Sequence, residues 1–246
     1  MTTTPIIEDT NLSNAWMQVL NRILDKPGPE ITPLLITLTG FDESANVRSV
    51  LDESLNKNKL GSVQTVSETI FPDSLYRLYG KDREKLYSRY LRNLPRLKKI
   101  DSNSNGKGTY FERMIAFDSS PDKINQLEMV INSLKSKSNK RRSKLQISIF
   151  DPRVDHTNQP FQGFPCLQHV TFYTSKNNGL ILNSFYAIQY LYERGYGNWL
   201  GLINLGKFIA NEANIEFERF NCFIGIEKLE IPKIEARELV KKINKL

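Results

Sequence analysis

The chain has 246 residues, 39% hydrophobic and 25% charged, proportions that exclude wholesale disorder and allow a buried core without staples. Lys and Arg total 34 against 27 Asp and Glu, and the formal charge of +7 suits an anionic ligand without specifying which. No run approaches ~18 consecutive apolar residues, which excludes a transmembrane helix; the 2 cysteines and 2 histidines, unclustered, argue against a disulfide scaffold or a structural zinc site.

The first ~12 residues are polar and are expected to fray, and they lack the basic-then-apolar pattern of a signal peptide, so a cytoplasmic location is expected. Residues 14–24 place Trp16, Val19, Leu20, Ile23 and Leu24 on one helical face, ended by Lys26-Pro27-Gly28-Pro29. Residues 34–38 predict a buried strand, residues 44–56 a short helix, and residues 63–70 fit helix or strand equally. Leu75, Leu78, Leu86, Tyr90, Leu94 and Leu97 recur at roughly helical spacing, with Arg89, Arg92, Arg96, Lys98 and Lys99 between them. This basic stretch lacks the interleaved stacking platform of a nucleic-acid module and predicts a solvated helix face, so nucleic acid is not the expected partner. Residues 102–108 predict a loop, and residues 122–134 a helix with Ile124, Leu127, Val130, Ile131 and Leu134 on one face. A basic, Ser-rich turn (135–142) precedes a strand over 145–150. An irregular loop over 152–165 leads to Cys166. Strands over 167–173 and 180–188 flank a hairpin turn at 176–179. An apolar helix over 198–210 follows, with Asn198 as its expected N-cap, then a strand over 217–226 and an amphipathic helix over 235–245. No repeat, phosphate loop or dinucleotide fingerprint is present, and neither His156 nor His169 has a triad-like setting. The composite is an α/β (α+β) chain, a single domain over 1–246, with an antiparallel-leaning sheet in its second half.

The informative stretch begins at Gly108-Thr109-Tyr110. After it come a helix, the Arg141-Arg142 pair, a strand ending Phe150-Asp151-Pro152, and Phe164-Pro165-Cys166. A strand ending Phe172-Tyr173, a hairpin, another strand and Gly197-Asn198 at the head of an apolar helix complete it. This order and spacing resemble the thymidylate synthase superfamily, which includes pyrimidine-nucleotide hydroxymethylases, across residues 60–225. The resemblance implies a thymidylate synthase-like fold, a mixed, mostly antiparallel sheet packed with helices. It also implies a homodimer, because the family builds its site across two subunits. Cys166 would be the nucleophile, Glu68 of Ser67-Glu68-Thr69-Ile70-Phe71 the catalytic carboxyl, and Asn198 the amide that reads the base. Tyr110 matches a site tyrosine. Arg141 and Arg142 match, two residues out of register, an arginine pair donated across the dimer to the substrate phosphate. Gln189 and Arg194 are further substrate-binding candidates. The implied substrate is a pyrimidine nucleotide or related small molecule, the implied cofactor is 5,10-methylenetetrahydrofolate, and no metal is implied.

The implied chemistry suits these residue types. Carbon 5 of a uracil ring becomes nucleophilic once a thiolate adds at carbon 6, and a nearby Arg promotes the thiolate. A carboxyl relays protons, and an Asn pairs with both the carbonyl and the ring N–H of the base. The departures are also specific. In the register that places Asn198, the family's phosphate-binding Arg, Ser and Asp fall on Ala187, Ile188 and Tyr190, and its ribose-binding His-x-Tyr falls near Phe223 to Ile226, where there is no His. A competing register keeps an arginine as Arg194 but moves the Asn match to Asn204. The alternative is therefore a catalytically altered or inactive nucleotide-binding or interaction protein on the same scaffold. Residue by residue the plainer alternatives are a buried structural Cys166, a solvated Glu68, a solvated turn at Arg141 and Arg142, a core Cys222 and a structural His169.

Overall fold

The structure is a computed structural model that describes residues 4–80, 82–100, 106–118, 122–136, 141–159 and 163–245. The chain opens with β1 (Ile6–Asn11), α1 (Leu12–Leu24), β2 (Glu30–Ile31), β3 (Leu34–Asp42), α2 (Ala45–Lys57) and α3 (Val63–Ile70). It continues through α4 (Asp73–Tyr79), α5 (Arg83–Ile100), α6 (Tyr110–Ile115), β4 (Phe117–Asp118), β5 (Lys123–Ile124), α7 (Gln126–Lys135) and β6 (Gln146–Ser148). Strands β7 (Leu167–Thr174) and β8 (Leu180–Tyr190), helix α8 (Tyr196–Ala213), β9 (Phe217–Lys228) and α9 (Lys233–Ile243) complete it.

The main sheet runs β1-β3-β9-β8-β7-β6, with β2 also on β9. Strands β1–β3 and β8–β9 pair parallel and the other four pairs are antiparallel, so the sheet is mixed and mostly antiparallel. One face is apolar: Ile36, Phe220, Ile224, Leu182, Val170 and Phe172 are buried in the core to which α1 and α8 contribute. Asn11 caps α1, and its buried stripe includes Trp16, Val19, Leu20 and Ile23; each such side chain contributes about 1.5–3 kcal/mol on burial. The opposite face carries a hydrogen-bonded ladder, Thr37–Asn221–Asn183–Thr171, with steps of 3.1, 2.8 and 3.2 Å. It also carries the stacked rings of Phe185 and Phe223, each 38% exposed.

Several expectations change. Residues 6–11, expected to fray, form β1, where Ile7 pairs with Ile36 and is buried; a partner strand decides this, and the local pattern does not show it. The helix expected from residue 122 starts at Gln126, capped by Asn125, while Ile124 is exposed and pairs with Phe117. The helical pattern over residues 76–99 divides into α4 and α5 after Gly80. Residues 63–70 are helical, with Ser62 as cap. The loop expected over 102–108 and the turn over 135–142 lie partly outside the described residues. Cys222 is fully buried in the core, and His169 is half-buried on β7 with burial holding its pKa down.

Candidate functional site

A cavity of about 250 Å³ opens where the start of β7, the end of β8, the start of α6 and the first turn of α8 meet. Its lining includes Cys166, Tyr110, Asn198, Gln189 and Arg194, five residues from three separate stretches of the chain.

Cys166 stands just before β7, and its carbonyl accepts the Ala187 N–H at 3.1 Å, which fixes it against β8. Its thiol is partly buried. Burial pushes its pKa up and the Arg194 guanidinium opposes that rise. Tyr110 owes its place to a reciprocal cap: the Thr109 hydroxyl accepts the Glu112 N–H at 3.2 Å and the Glu112 carboxylate accepts the Thr109 N–H at 3.3 Å. The Tyr90 hydroxyl bonds Thr109 Oγ1 at 2.7 Å behind it. Burial pushes the Tyr110 phenol up, and the backbone amides of Leu167 and Cys166 beside its oxygen partly offset that. Phe164 completes this wall, with its ring 5.2 Å from Tyr110 and the Arg113 guanidinium 5.5 Å above it. Arg113 is itself held by Asp155 at 2.8 Å.

Between β8 and α8 the chain makes a wide π turn, Leu191–Gly195. Such turns are rare and concentrate at functional sites. Three elements hold it. Trp16 Nε1 donates to the Leu191 carbonyl at 3.0 Å, the Tyr192 hydroxyl bonds Ser54 Oγ at 2.8 Å and Asn58 Nδ2 at 2.9 Å, and the Glu230 carboxylate accepts the N–H groups of Tyr192 and Glu193. The turn presents Glu193 and Arg194, paired at 2.8 Å, to the cavity.

This turn runs straight into α8, so the helix begins at Tyr196 and Asn198 lies inside it; the expected N-cap role is corrected on that ground. Asn198 is 5% exposed and lines the cavity. Gln189 is 2% exposed, and neither of its amide atoms has a partner among the described residues. Asn198 and Arg194, which competing registers made alternatives, line one cavity, whereas Asn204 lies outside it and bonds Ser67 Oγ at 3.5 Å.

Three candidates lie elsewhere. Glu68 is one residue from the lining residue Thr69, but its Oε1 accepts Ser74 N–H at 3.0 Å, Ser74 Oγ at 2.7 Å and Gln64 Nε2 at 2.8 Å. Arg141 is exposed, and Arg142 lies 5.7 Å over the Tyr173 ring, beside the open face of the sheet. Conversely Thr69, Thr109 and Glu193 line the cavity without having been singled out by sequence, and Ile188 and Tyr190, marked there only as departures from the phosphate-binding positions, line it too. Two signals were available: Thr109-x-x-Glu112 is a capping-box pattern, and Glu193 is adjacent to Arg194. Among the described residues no group of acidic, His or Cys side chains is arranged to hold a metal ion, and no helix is long and apolar enough to cross a membrane.

No family model matches the chain. It is 28% identical over 111 residues to a Methanocaldococcus jannaschii protein named "Putative thymidylate synthase", a match covering 44% of this chain. The match covers 48% of that relative, so it spans about half the relative's length. Together with the α+β architecture, this supports a thymidylate synthase-like relationship.

Proposed function

We propose that the protein is a thymidylate synthase-like one-carbon transferase, methyl or hydroxymethyl, acting at carbon 5 of a pyrimidine nucleotide or related base. The observation that carries this is the convergence of a thiol (Cys166), a cation (Arg194) and two carboxamides (Asn198 and Gln189) on one cavity with an aromatic wall. Cys166 adds as thiolate to carbon 6, and the ring's double-bond electrons move to the carbonyl oxygen at carbon 4 as an enolate. Arg194 favours the thiolate and draws the anionic part of the ligand. Asn198 donates to the developing enolate oxygen and accepts from the ring N–H. Proton transfer falls to a carboxyl: Glu68 by resemblance, acting from beside Thr69, or Glu193 by its place in the lining.

The resemblance also implies 5,10-methylenetetrahydrofolate. Phe164, Ile188 and Tyr190 fit such a flat group, since they give the cavity apolar and aromatic surface near Cys166. When bound it supplies the one-carbon unit. A homodimer belongs to the same proposal. Phe185 and Phe223 are each 38% exposed on their sheet face, and Arg142 lies beside that face, outside its own chain's cavity, as a residue donated to a second copy would. A single domain and a cytoplasmic setting complete the proposal.

The test is hydrogen exchange at carbon 5. The protein is incubated with dUMP, dCMP, UMP and CMP in deuterated water, beside Cys166→Ser. Exchange by the wild type that Cys166→Ser abolishes supports the reading. No exchange with any of the four, with an unreactive Cys166, overturns it. A second reading, nucleotide binding without catalysis, is favoured by the engagement of Glu68 with Ser74 and by the raised thiol pKa; it predicts binding without exchange.

A further inference from the structure

Strands β8 and β9 lose their alternation at the same level. Tyr186 and Ile224, paired across the strands, point into the core; the next two residues of each strand are half-exposed; then Gln189 and Glu227, also paired, turn inward. Close packing holds the slip, for a Cβ on Gly225 would stand 2.7 Å from the Ala187 carbonyl oxygen. Without the slip both polar side chains would face outward.

Gln189 and Glu227 are neighbours under the π turn. Glu227 Oε1 and Gln189 Oε1 lie 3.5 and 3.7 Å from the position a Gly195 Cβ would take. Glu227 is 0% exposed, and neither of its oxygens nor either Gln189 amide atom has a partner among the described residues. Buried polar atoms are rarely left so, and these adjoin a cavity that Gln189 lines. Among the described residues the titratable groups facing Glu227 are Tyr186 from β8, Cys222 from β9 and Glu230 beyond it, and none of these is a cation. Burial, with Glu230 nearby, holds the Glu227 carboxyl well above the ordinary carboxylate range, which favours its protonated form.

We propose that Gln189 reads the ligand beside Asn198, and that Glu227 is its positioning residue, aiming the Gln189 amide from the neighbouring strand. This deepens the nucleotide reading and rests on it. The carboxyl O–H donates to Gln189 Oε1, which leaves the Gln189 N–H groups for ligand carbonyls. Asn198, offering donor and acceptor, and Gln189, offering donors, together select a flat heterocycle whose edge carries carbonyls beside a ring N–H.

The experiment is calorimetric titration of the wild type, Glu227→Ala and Glu227→Gln with dUMP and dCMP, together with ligand-free melts, across about pH 5 to 9. Glu227→Ala is expected to weaken binding roughly tenfold or more, and Glu227→Gln to restore most of it. Wild-type affinity falls as rising pH ionises Glu227, and the Glu227→Gln profile stays flat across that step. A carboxyl with a raised folded-state pKa stabilises the fold fully below its unfolded value, and that contribution is lost as pH rises. Without ligand, the wild type therefore loses melting temperature relative to Glu227→Gln above about pH 4.5. The assignment of Glu227 is overturned if Glu227→Gln binds as poorly as Glu227→Ala, or if the two melting profiles superimpose. Failure of the wild type to bind either nucleotide overturns the nucleotide reading and the ligand class, and the ligand-free melts still judge Glu227 separately.

Discussion

Helices α3 and α8 cross at Gly197 and Gly201, and that crossing sets the distance between Thr69 and Asn198 over the cavity. A Cβ built on Gly201 would lie 2.7 Å from the Ser67 carbonyl oxygen and 2.9 Å from the Ile70 Cβ. A carbon–oxygen contact rests near ~3.3 Å, so Gly201→Ala must part the helices by about 0.6 Å. One obstacle is backbone, so no rotamer change relieves it. Replacing Gly by Ala inside a helix gains about 1 kcal/mol in propensity. Overpacking a filled interface costs about 1–3 kcal/mol, and two simultaneous clashes put it at the upper end. The net loss is about 2 kcal/mol, a fall of about 4–8 °C in Tm for a chain of this size. Thermal melts followed by circular dichroism measure it. The control is Gly61→Ala, whose Cβ would meet Thr65 Cγ2 at an ordinary 3.6 Å; it should stay within about 0.5 kcal/mol of wild type. A Gly201→Ala protein that melts at or above the wild-type temperature would refute the close crossing and the placement of Thr69 that depends on it.

Arg194→Gln should slow alkylation of Cys166 by iodoacetamide several-fold near neutral pH, because Arg194 is the group that opposes the burial-driven rise of the thiol pKa; an unchanged rate would separate Arg194 from the thiol. Arg83 pairs with Glu128 and with the buried Glu212, each at 2.5 Å, so Arg83→Met should lose about 3 kcal/mol in denaturant unfolding. Arg83 also holds the Glu128 carboxyl below its ordinary range, so this stabilisation is present above about pH 4.5 and lost as pH falls through the lowered value. Melts of wild type and Arg83→Met should converge in acid, and a constant gap would contradict the pairing. If the proposed homodimer forms through the open sheet face, where Phe185 is 38% exposed, light scattering should report a dimer for the wild type and a monomer for Phe185→Asp; a monomeric wild type would refute the dimer, and a dimeric variant would move the interface elsewhere.

What the sequence announces is what a single buried face dictates. Trp16, Val19, Leu20 and Ile23 recur because α1 has one face in the core, and Val170 and Phe172 alternate with Thr171 and Tyr173 because β7 does too. Strand β1 is silent because its identity comes from pairing with β3, and Ile124 joined a helical stripe by spacing alone while the structure gives it to a two-residue strand. The same division holds at the site. Cys166 and Tyr110 stand in local patterns, Pro165-Cys166 before a strand and Thr109-x-x-Glu112 at a cap. Glu68 matches by its neighbours, yet its position places the carboxylate at the start of α4, and only three-dimensional packing separates it from Thr69 one residue on.

The least legible residues are those displaced from regular structure, and they surround the cavity. Continued alternation after Tyr186 would put Gln189 and Glu227 outside the core; the paired slip in β8 and β9 brings both in. An α-helix begun at Asn198 would leave Glu193 and Arg194 in a free loop; the π turn, tied to Trp16, Ser54, Asn58 and Glu230, fixes them instead. Neither irregularity is a local preference, since wide helical turns and inward polar pairs are both disfavoured in isolation. Each persists because groups distant in sequence hold it, which is the condition under which a fold holds reactive and polar groups in place before a ligand arrives. Arg194 and Gln189 thus reach the cavity through the places where periodicity fails, Cys166 and Asn198 reach it from the edge of a regular strand and the first turns of a regular helix, and the intact periodicity around all four supplies the rigidity that keeps them there.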